Sequence, residues 1–385
     1  MNVPKLRFKE FNDEYETYTI NELGNVITGT TPSTSDKENY GNEFLWVSPI
    51  DMGIHKYIDN TKNKLSEKGF RKARAIPKDS VLITCIGSTI GKMAMASKVM
   101  ATNQQINTLI CNNNFNNNYM YYCIGYSFPK FLSKISFQAV PIISKSEFEK
   151  LSLVCSTNKQ EQIKVANFLS LLDKKIELQT KKIEDLKLFK KGLNNSINFK
   201  SSGTPIEIKN LVSEYNKKTT INNQYPVLSS TMNGITIQQE YFNKTASSND
   251  TTGYKIVPNN YITYRSMSDT GQFHFNLQNI IDIGIVSPAY PVFKLNDNIN
   301  LEYFLNYINN CQIFKNQILS IKEGGTRFAL SFSKFNKLLV NIPEEQYMIT
   351  YGNILNIINR KIKLEMEKVN KLQQLKKGLM QNMFV

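Results

Sequence analysis

The sequence is poor in the residues from which metal and redox sites are made. It has two histidines, His55 and His274, and five scattered cysteines, Cys85, Cys111, Cys123, Cys155 and Cys311. There is no CxxC pair and the cysteine total is odd, which argues against structural zinc and fits reduced thiols in a cytoplasmic protein. No apolar run approaches the roughly 18 residues that a membrane span needs. The opening MNVPKLRFKEF lacks the apolar segment of a secretory signal. Acidic residues are also short, at 32 Asp and Glu against 47 Lys and Arg, leaving a formal charge of +15. That excess favours a polyanionic partner, nucleic acid ahead of an anionic membrane surface. The pairs Lys174-Lys175, Lys181-Lys182 and Lys190-Lys191 fit the solvated flank of a helix equally well.

Catalytic motifs are missing too. Gly87-Ser88-Thr89-Ile90-Gly91-Lys92 has three residues between its glycines where a phosphate-binding P-loop needs four, and Met93 follows the lysine where Ser or Thr is required. A turn between strands, with or without a phosphate near Lys92, fits it better. The Asn/Asp-Pro-Pro-aromatic loop of an amino-base methyltransferase is absent; Ser287-Pro288-Ala289-Tyr290 comes nearest and lacks the amide and the second proline. Glu147-x-Glu149-Lys150 is the nearest approach to a nuclease carboxylate cluster, and Phe148 and Leu151 make it ordinary packing. The reading is a chain with no active site, no metal and no cofactor of its own. An enzyme using Gly87–Lys92, or a coiled-coil adaptor binding only proteins, stands as the competing class.

What the sequence does have is a long heptad pattern over Lys159–Asn198. Its ladder is Val165, Leu169, Leu172, Ile176, Gln179, Ile183, Leu186, Lys190, Leu193 and Ile197, eight of ten apolar. A mean spacing of 3.5 predicts a helix lying along a partner helix. The partner is an echo 186 residues later: Tyr351, Leu355, Ile358, Ile362, Glu365, Val369, Leu372, Lys376, Leu379 and Met383. The polar exceptions fall on the same rungs, Gln179/Glu365 and Lys190/Lys376, which marks them as register-setting or partner-facing, or else as solvated gaps in the seam. This is an internal repeat of whole halves.

Short apolar runs with Gly and Pro punctuation precede each helix and predict strands and loops, with one helix near Tyr119–Ser133 and a loop at Asn112–Asn118. Landmarks repeat in order. Ile76-Pro77-Lys78-Asp79-Ser80 answers to Val257-Pro258-Asn259-Asn260-Tyr261, Tyr119-Met120-Tyr121-Tyr122 to Leu301-Glu302-Tyr303-Phe304, and Ser144–Phe148 to Ser331–Phe335. Glu161-Gln162 answers to Glu345-Gln346. The predicted order is therefore domain (1–158), helix (159–199), domain (200–343), helix (344–385). The fold class is α+β: two similar mixed α/β domains separated by a pair of long antiparallel coiled-coil helices, with pseudo-twofold symmetry. Val165 to Ile197 is 33 residues, about 50 Å at 1.5 Å per residue, or roughly 15 base pairs of duplex.

For contacting DNA, the candidates are polar side chains on loops. In the first domain they are Thr30, Thr31, Ser33, Thr34, Arg71, Arg74, Ser88, Lys92, Asn103, Gln104 and Gln105; in the second, Ser229, Ser230, Thr231, Asn233, Arg265, Ser266 and Arg327. Arg reads guanine and Asn or Gln reads adenine through paired hydrogen bonds, while Ser, Thr and Lys hold phosphates. Each is equally the kind of residue from which turns are made.

Taken together, these residues make the chain resemble the specificity subunit of a type I restriction–modification enzyme over nearly its whole length. The resemblance is carried by PKLRF (Pro4–Phe8), the block Ile27–Gly53, IPKDSVLITCIGSTIGK (Ile76–Lys92), Asn103-Gln104, EQIKVANFLSLLDKKIE (Glu161–Glu177) and YPVLSSTMNGI (Tyr225–Ile235). One departure is Phe137-Gln138-Ala139-Val140, where the second domain keeps Gly324-Gly325-Thr326. The resemblance implies two target-recognition domains that read a bipartite, asymmetric double-stranded DNA site. It implies a helical ruler, with Leu169, Leu172, Ile176, Gln179, Ile183, Leu186, Leu193, Leu355, Ile358, Ile362, Glu365, Val369, Leu372 and Leu379 at the helix and subunit interface. The implied partners are two methyltransferase subunits using S-adenosylmethionine on adenine N6, and two ATP- and Mg2+-dependent translocase–nuclease subunits. A specificity-like subunit of another DNA-modification or defence system is the alternative within this class.

Overall fold

The computed structural model describes residues 3–53, 55–133, 142–196, 203–238, 250–321 and 328–385. They form two compact units, residues 1–182 with 365–385, and residues 183–364. The divisions fall inside the two long helices, Lys159–Ser196 and Glu345–Met383. The turns 137–140 and 324–326, Ile197 and Arg327 lie outside the described residues.

Each unit is closed by a ribbon joining its beginning to the strand just before its long helix. In the first unit Tyr15–Thr19 pairs antiparallel with Ser152–Ser156; in the second, Thr204–Glu207 pairs antiparallel with Leu339–Ile342. The first unit adds two five-stranded sheets. One runs Gly24–Thr28, Ile106–Cys111, Val81–Thr84, Met93–Ala96, Tyr57–Ile58 in spatial order; the other runs Tyr40–Gly41, Lys64–Leu65, Phe44–Val47, Met100–Thr102, Ala75–Ile76. The second unit has a four-stranded sheet ordered Val212–Glu214, Val292–Leu295, Ile262–Thr263, Asn276–Leu277, with smaller ribbons around it.

The repeated sequence landmarks are turn and cap chemistry. Asp79 and Asn260 both take the left-handed backbone region, at φ +65° in each case. Among side-chain-bearing residues, Asp and Asn enter that region most readily. Ser144 and Ser331 cap short helices by accepting from Glu147 N and Lys334 N. Each of those helices drives a phenylalanine, Phe148 or Phe335, fully into a core. Asn116 and Asn300 cap the helices Asn117–Leu132 and Leu301–Asn310 through Tyr119 N and Tyr303 N, both at 3.0 Å. These caps correct two sequence readings. The asparagine tract ends in a helix rather than a loop, because Asn is a strong N-cap. Tyr119 corresponds to Tyr303, not to Leu301. Both hydroxyls meet the strand before the long helix, at Ser156 N (3.2 Å) and Asn341 O (2.9 Å). A run of aromatic residues does not set register; the cap does.

The long helices pair antiparallel within each unit. In the first, Asp173 meets Lys376 at 2.5 Å and Lys182 meets Glu365 at 2.7 Å. In the second, Lys190 meets Asn359 at 2.7 Å and Asn194 meets Tyr351 at 2.8 Å. Val165, Leu169, Glu365 and Met383 are buried, and Leu172, Ile176, Gln179, Val369, Leu372, Lys376 and Leu379 half-buried. Ile183, Tyr351, Leu355 and Ile358 are buried, with Leu186, Lys190, Leu193 and Ile362 half-buried. Every described ladder rung thus faces inward, and each fully buried aliphatic rung contributes about 1.5–3 kcal/mol. Gln179 and Glu365, repeat equivalents 186 residues apart, hydrogen-bond to each other. The last turn of the second helix completes the first unit's core: Met383 and Phe384 are buried there, Phe384 5.4 Å from the Tyr119 ring.

Candidate nucleic-acid interface

In the first unit Thr28 lies opposite Asn107, and Ile106 opposite Thr84. The loops after Thr28 and Thr84 and the loop before Ile106 therefore leave the sheet at one end. Gly29 N donates to Ile106 O at 3.0 Å, Thr30 N to Thr102 O at 2.8 Å and Cys85 N to Gln105 O at 2.8 Å, binding the three loops together. The approach is so close that a Cβ on Gly29 would stand 2.1 Å from Asn103 O, which explains the glycine of TGTT. The Thr31 hydroxyl bonds Gln104, and Arg74 Nη1 donates to Thr28 O at 2.9 Å. Lys92 Nζ lies 3.4 Å from Pro49 O, in the loop that follows strand Phe44–Val47. Thr30, Thr31, Arg74, Lys92, Asn103, Gln104 and Gln105 are thus brought together, and exposed Ser88 stands on the loop beside Gln105. Within this group Asn103 is buried and holds Gln105 through two hydrogen bonds, 3.0 and 3.1 Å, so it shapes the loop. Arg71 stands apart, paired with Glu67 one helical turn back. Ser33 turns its hydroxyl to Ser35 at 2.7 Å, and Thr34 is exposed next to it.

The glycine loop does not form a phosphate cradle. Ile90 N donates to Gly87 O, Gly91 N to Thr84 O and Lys92 N to Thr89 O, at 3.1, 2.9 and 3.1 Å. Its amides serve its own turn. Among the described residues no group of three His, Cys, Asp or Glu side chains is placed to hold a metal ion, and no helix is long and apolar enough to cross a membrane.

In the second unit the polar candidates border one cavity of about 410 Å³. Ser229, Ser230, Thr231 and Arg265 line it, joined by Met232, Asp269, Gln272, Phe273, His274 and Tyr290. Asn233 caps the hairpin by donating its N–H to Thr231 Oγ1 at 3.1 Å, and Ser266 O accepts from Leu330 N at 2.9 Å. Sequence reading missed His274, Gln272 and Tyr290. They lie between motifs, and no spacing rule ties them to Ser229.

The long helices also carry an outer apolar ridge. Leu171 and Leu178 are 68% and 60% exposed in the first unit, with Phe168 beside them; Ile357 is 66% exposed in the second, with Ile354 and Leu364. These are repeat equivalents, interleaved with Lys175 and Lys182 or with Lys361 and Lys368. On the flank of the first unit's helix pair that meets the sheet domain, Lys56 Nζ donates to Ser170 Oγ at 2.9 Å and Tyr122 OH at 3.0 Å, and Tyr122 donates to Asp173 at 2.6 Å. Burial lowers the Lys56 pKa to about 8 against the pull of Asp173.

The class of domain is given by comparison with known proteins. Residues 12–188 match the family model described as type I restriction modification DNA specificity domain. That match covers just under half of the chain, and the curated proteins to which the chain is similar are specificity subunits of type I restriction enzymes. It is similar to the type I restriction enzyme HindI specificity subunit of Haemophilus influenzae, 28% identical over 180 residues, covering 45% of this chain and 39% of that protein. The MjaIX specificity subunit of Methanocaldococcus jannaschii is 28% identical over 179 residues, covering 45% and 41%. The chain spans about two-fifths of the length of these curated relatives. In fold it is like the type I restriction–modification S subunit from M. genitalium, with TM-score 0.63, 16% identity and coverage of 100% and 99%. A chain from a type I restriction–modification assembly structure gives TM-score 0.54 at 11% identity, covering 96% and 97%.

Proposed function

We propose that this chain is the DNA-reading subunit of a type I restriction–modification complex. The carrying observation is the convergence of Thr31, Arg74, Lys92, Gln104 and Gln105 at one end of a sheet, around the buried Thr30 hydroxyl and inside the stretch that matches the DNA specificity family. Donors, acceptors and cations on tightly tied loops suit base edges and phosphates. The second unit's polar cavity supports a second, different reader, so the site is bipartite and asymmetric. The boundaries are a reader over 1–158, a spacer helix over 159–199, a reader over 200–343 and a spacer helix over 344–385. Arg327 belongs to the second reader's candidates.

The paired helices serve as ruler and dock. The duplicated apolar ridge, flanked by lysines, supports two equivalent docking faces for two methyltransferase subunits. Those subunits bind S-adenosylmethionine and methylate adenine N6; two translocase–nuclease subunits bring ATP and Mg2+ chemistry. In the cytoplasm this chain supplies address and geometry, binds no cofactor and catalyses nothing alone.

Duplex binding by the complex assembled with a methyltransferase subunit tests this reading. Affinity falls steeply with salt as phosphate counterions are released, and the isolated chain neither binds ATP nor methylates or cuts DNA. Salt-independent binding, or turnover by the chain alone, contradicts it.

A further inference from the structure

The cavity of the second unit contains a histidine whose hydrogen-bonding state is set by its neighbours. Asn276 Nδ2 donates to Thr231 O and to Ser230 Oγ, both at 2.8 Å. A carbonyl only accepts, so the Asn276 amide nitrogen must face Thr231 and its oxygen must face away. That oxygen lies 2.9 Å from His274 Nδ1. An amide oxygen also only accepts, so Nδ1 carries the ring proton. In the neutral ring Nε2 is then a bare acceptor. Among the described residues no protein donor bonds it. Asn276 and Ser230 are 5% and 8% exposed, so the arrangement is locked from beneath. The ring is held towards neutrality by burial, opposed by the Asn276 bond and assisted by Lys315 and Lys190. Arg265, Asp269 and Tyr290 are the other ionisable groups around the cavity.

We infer that His274 is a specificity-determining residue of the second reader, its Nε2 accepting a hydrogen bond from the exocyclic amino group of adenine or cytosine. The inference rests on the DNA-reading function proposed above. In the major groove adenine N6 and cytosine N4 are donors, whereas guanine O6 and thymine O4 are acceptors. A bare imidazole nitrogen attracts the first pair and repels the second. Protonation turns Nε2 into a donor and inverts the preference, so discrimination weakens as pH falls through the ring's pKa.

The test uses the full chain assembled with a methyltransferase subunit, on duplexes carrying its mapped site. In the part read by the second unit, each adenine is replaced by purine and each cytosine by 2-pyrimidinone, deleting only the amino group, and binding is measured. At one position the deletion weakens binding about five- to tenfold, while the His274→Ala complex binds both duplexes equally. Which analogue acts tells adenine from cytosine. Should His274→Ala fail to assemble, the wild-type complex carries the test alone: the penalty for the missing amino group holds above the ordinary histidine value of 6.5 and shrinks as pH is taken below it. Overturning results are no amino-sensitive position, a penalty that His274→Ala leaves intact, or one that does not change with pH. Failure of the DNA-reading function looks different, because the first unit's half-site then has no effect on binding either.

Discussion

Glu161, at the start of the first long helix, is a buried carboxylate on which several parts of the first unit converge. It is fully buried and takes the Arg7 fork through Nε at 2.7 Å and Nη2 at 2.8 Å. Tyr15 OH donates to it at 3.2 Å and Ser156 Oγ at 2.5 Å, which ties lead-in, closing ribbon and helix into one joint. Arg7 is itself only 14% exposed, and its hydrogen bond to Glu161 holds its pKa above the ordinary value. Glu161→Ala therefore strands a largely buried guanidinium and two hydroxyls. Truncating one member of a buried pair costs about 3–5 kcal/mol. For a unit of about 200 residues, each kcal/mol moves the midpoint by about 2–4 °C. Calorimetry of the full chain should show the first unit's transition falling by about 6–20 °C, with the second unit's unchanged. Arg7→Ala with Glu161→Ala should recover at least about 1 kcal/mol of the sum of the singles, because no charge is left unpaired. A Glu161→Ala midpoint within about 1 °C of wild type, or strict additivity with Arg7→Ala, refutes the reasoning.

Two further predictions use other parts of the molecule. The folded Lys56 pKa of about 8 lies below its usual 10.5. Between those values the unfolded chain holds a proton that the folded chain has released, so the first unit gains stability as pH rises from 8. The gain is at most about 1.4 kcal/mol per pH unit, reduced by screening at a part-buried site. It turns over near pH 10, where burial of Tyr57 and Tyr122 keeps their phenols protonated and works in the opposite sense. Urea titrations across pH 7–10 should show this rise, and Lys56→Met should flatten it; an unchanged rise in the variant removes Lys56 as its cause. On the outer ridge, Leu171→Asp and Ile357→Asp alter residues about two-thirds exposed, so chain stability should stay within about 0.5 kcal/mol. Each should remove one docked methyltransferase subunit by native mass measurement, and both together should remove two. Full assembly of the double variant sinks the docking role of the ridge.

Much of this architecture could be read from residue spacing, because its determinants are local. The heptad ladder gave the inward rungs from Val165 to Leu193, and the repeated landmarks Ile76–Ser80 and Val257–Tyr261 marked two equivalent places, where the structure has left-handed turns at Asp79 and Asn260. Caps could have aligned Tyr119 with Tyr303, had Asn116 and Asn300 been weighed above the aromatic pattern. Contacts between distant residues were not legible. PKLRF and the EQIK helix start each stood as an isolated motif, and only folding shows that Arg7 of one grips Glu161 of the other. The same holds for Met383 and Phe384 entering the first unit's core, and for His274, whose role depends on an amide two residues away and on a hairpin more than forty residues upstream. The loop candidates lie between these cases: residue type proposed them, and sheet pairing decides which of them meet.

The most direct measurement is a map of methylated adenines in cells that co-express this chain with a cognate methyltransferase subunit. A single split motif with a fixed gap, vanishing when this chain is omitted, is the predicted result. Methylation that persists without the chain, or a contiguous motif with no spacer, contradicts the account.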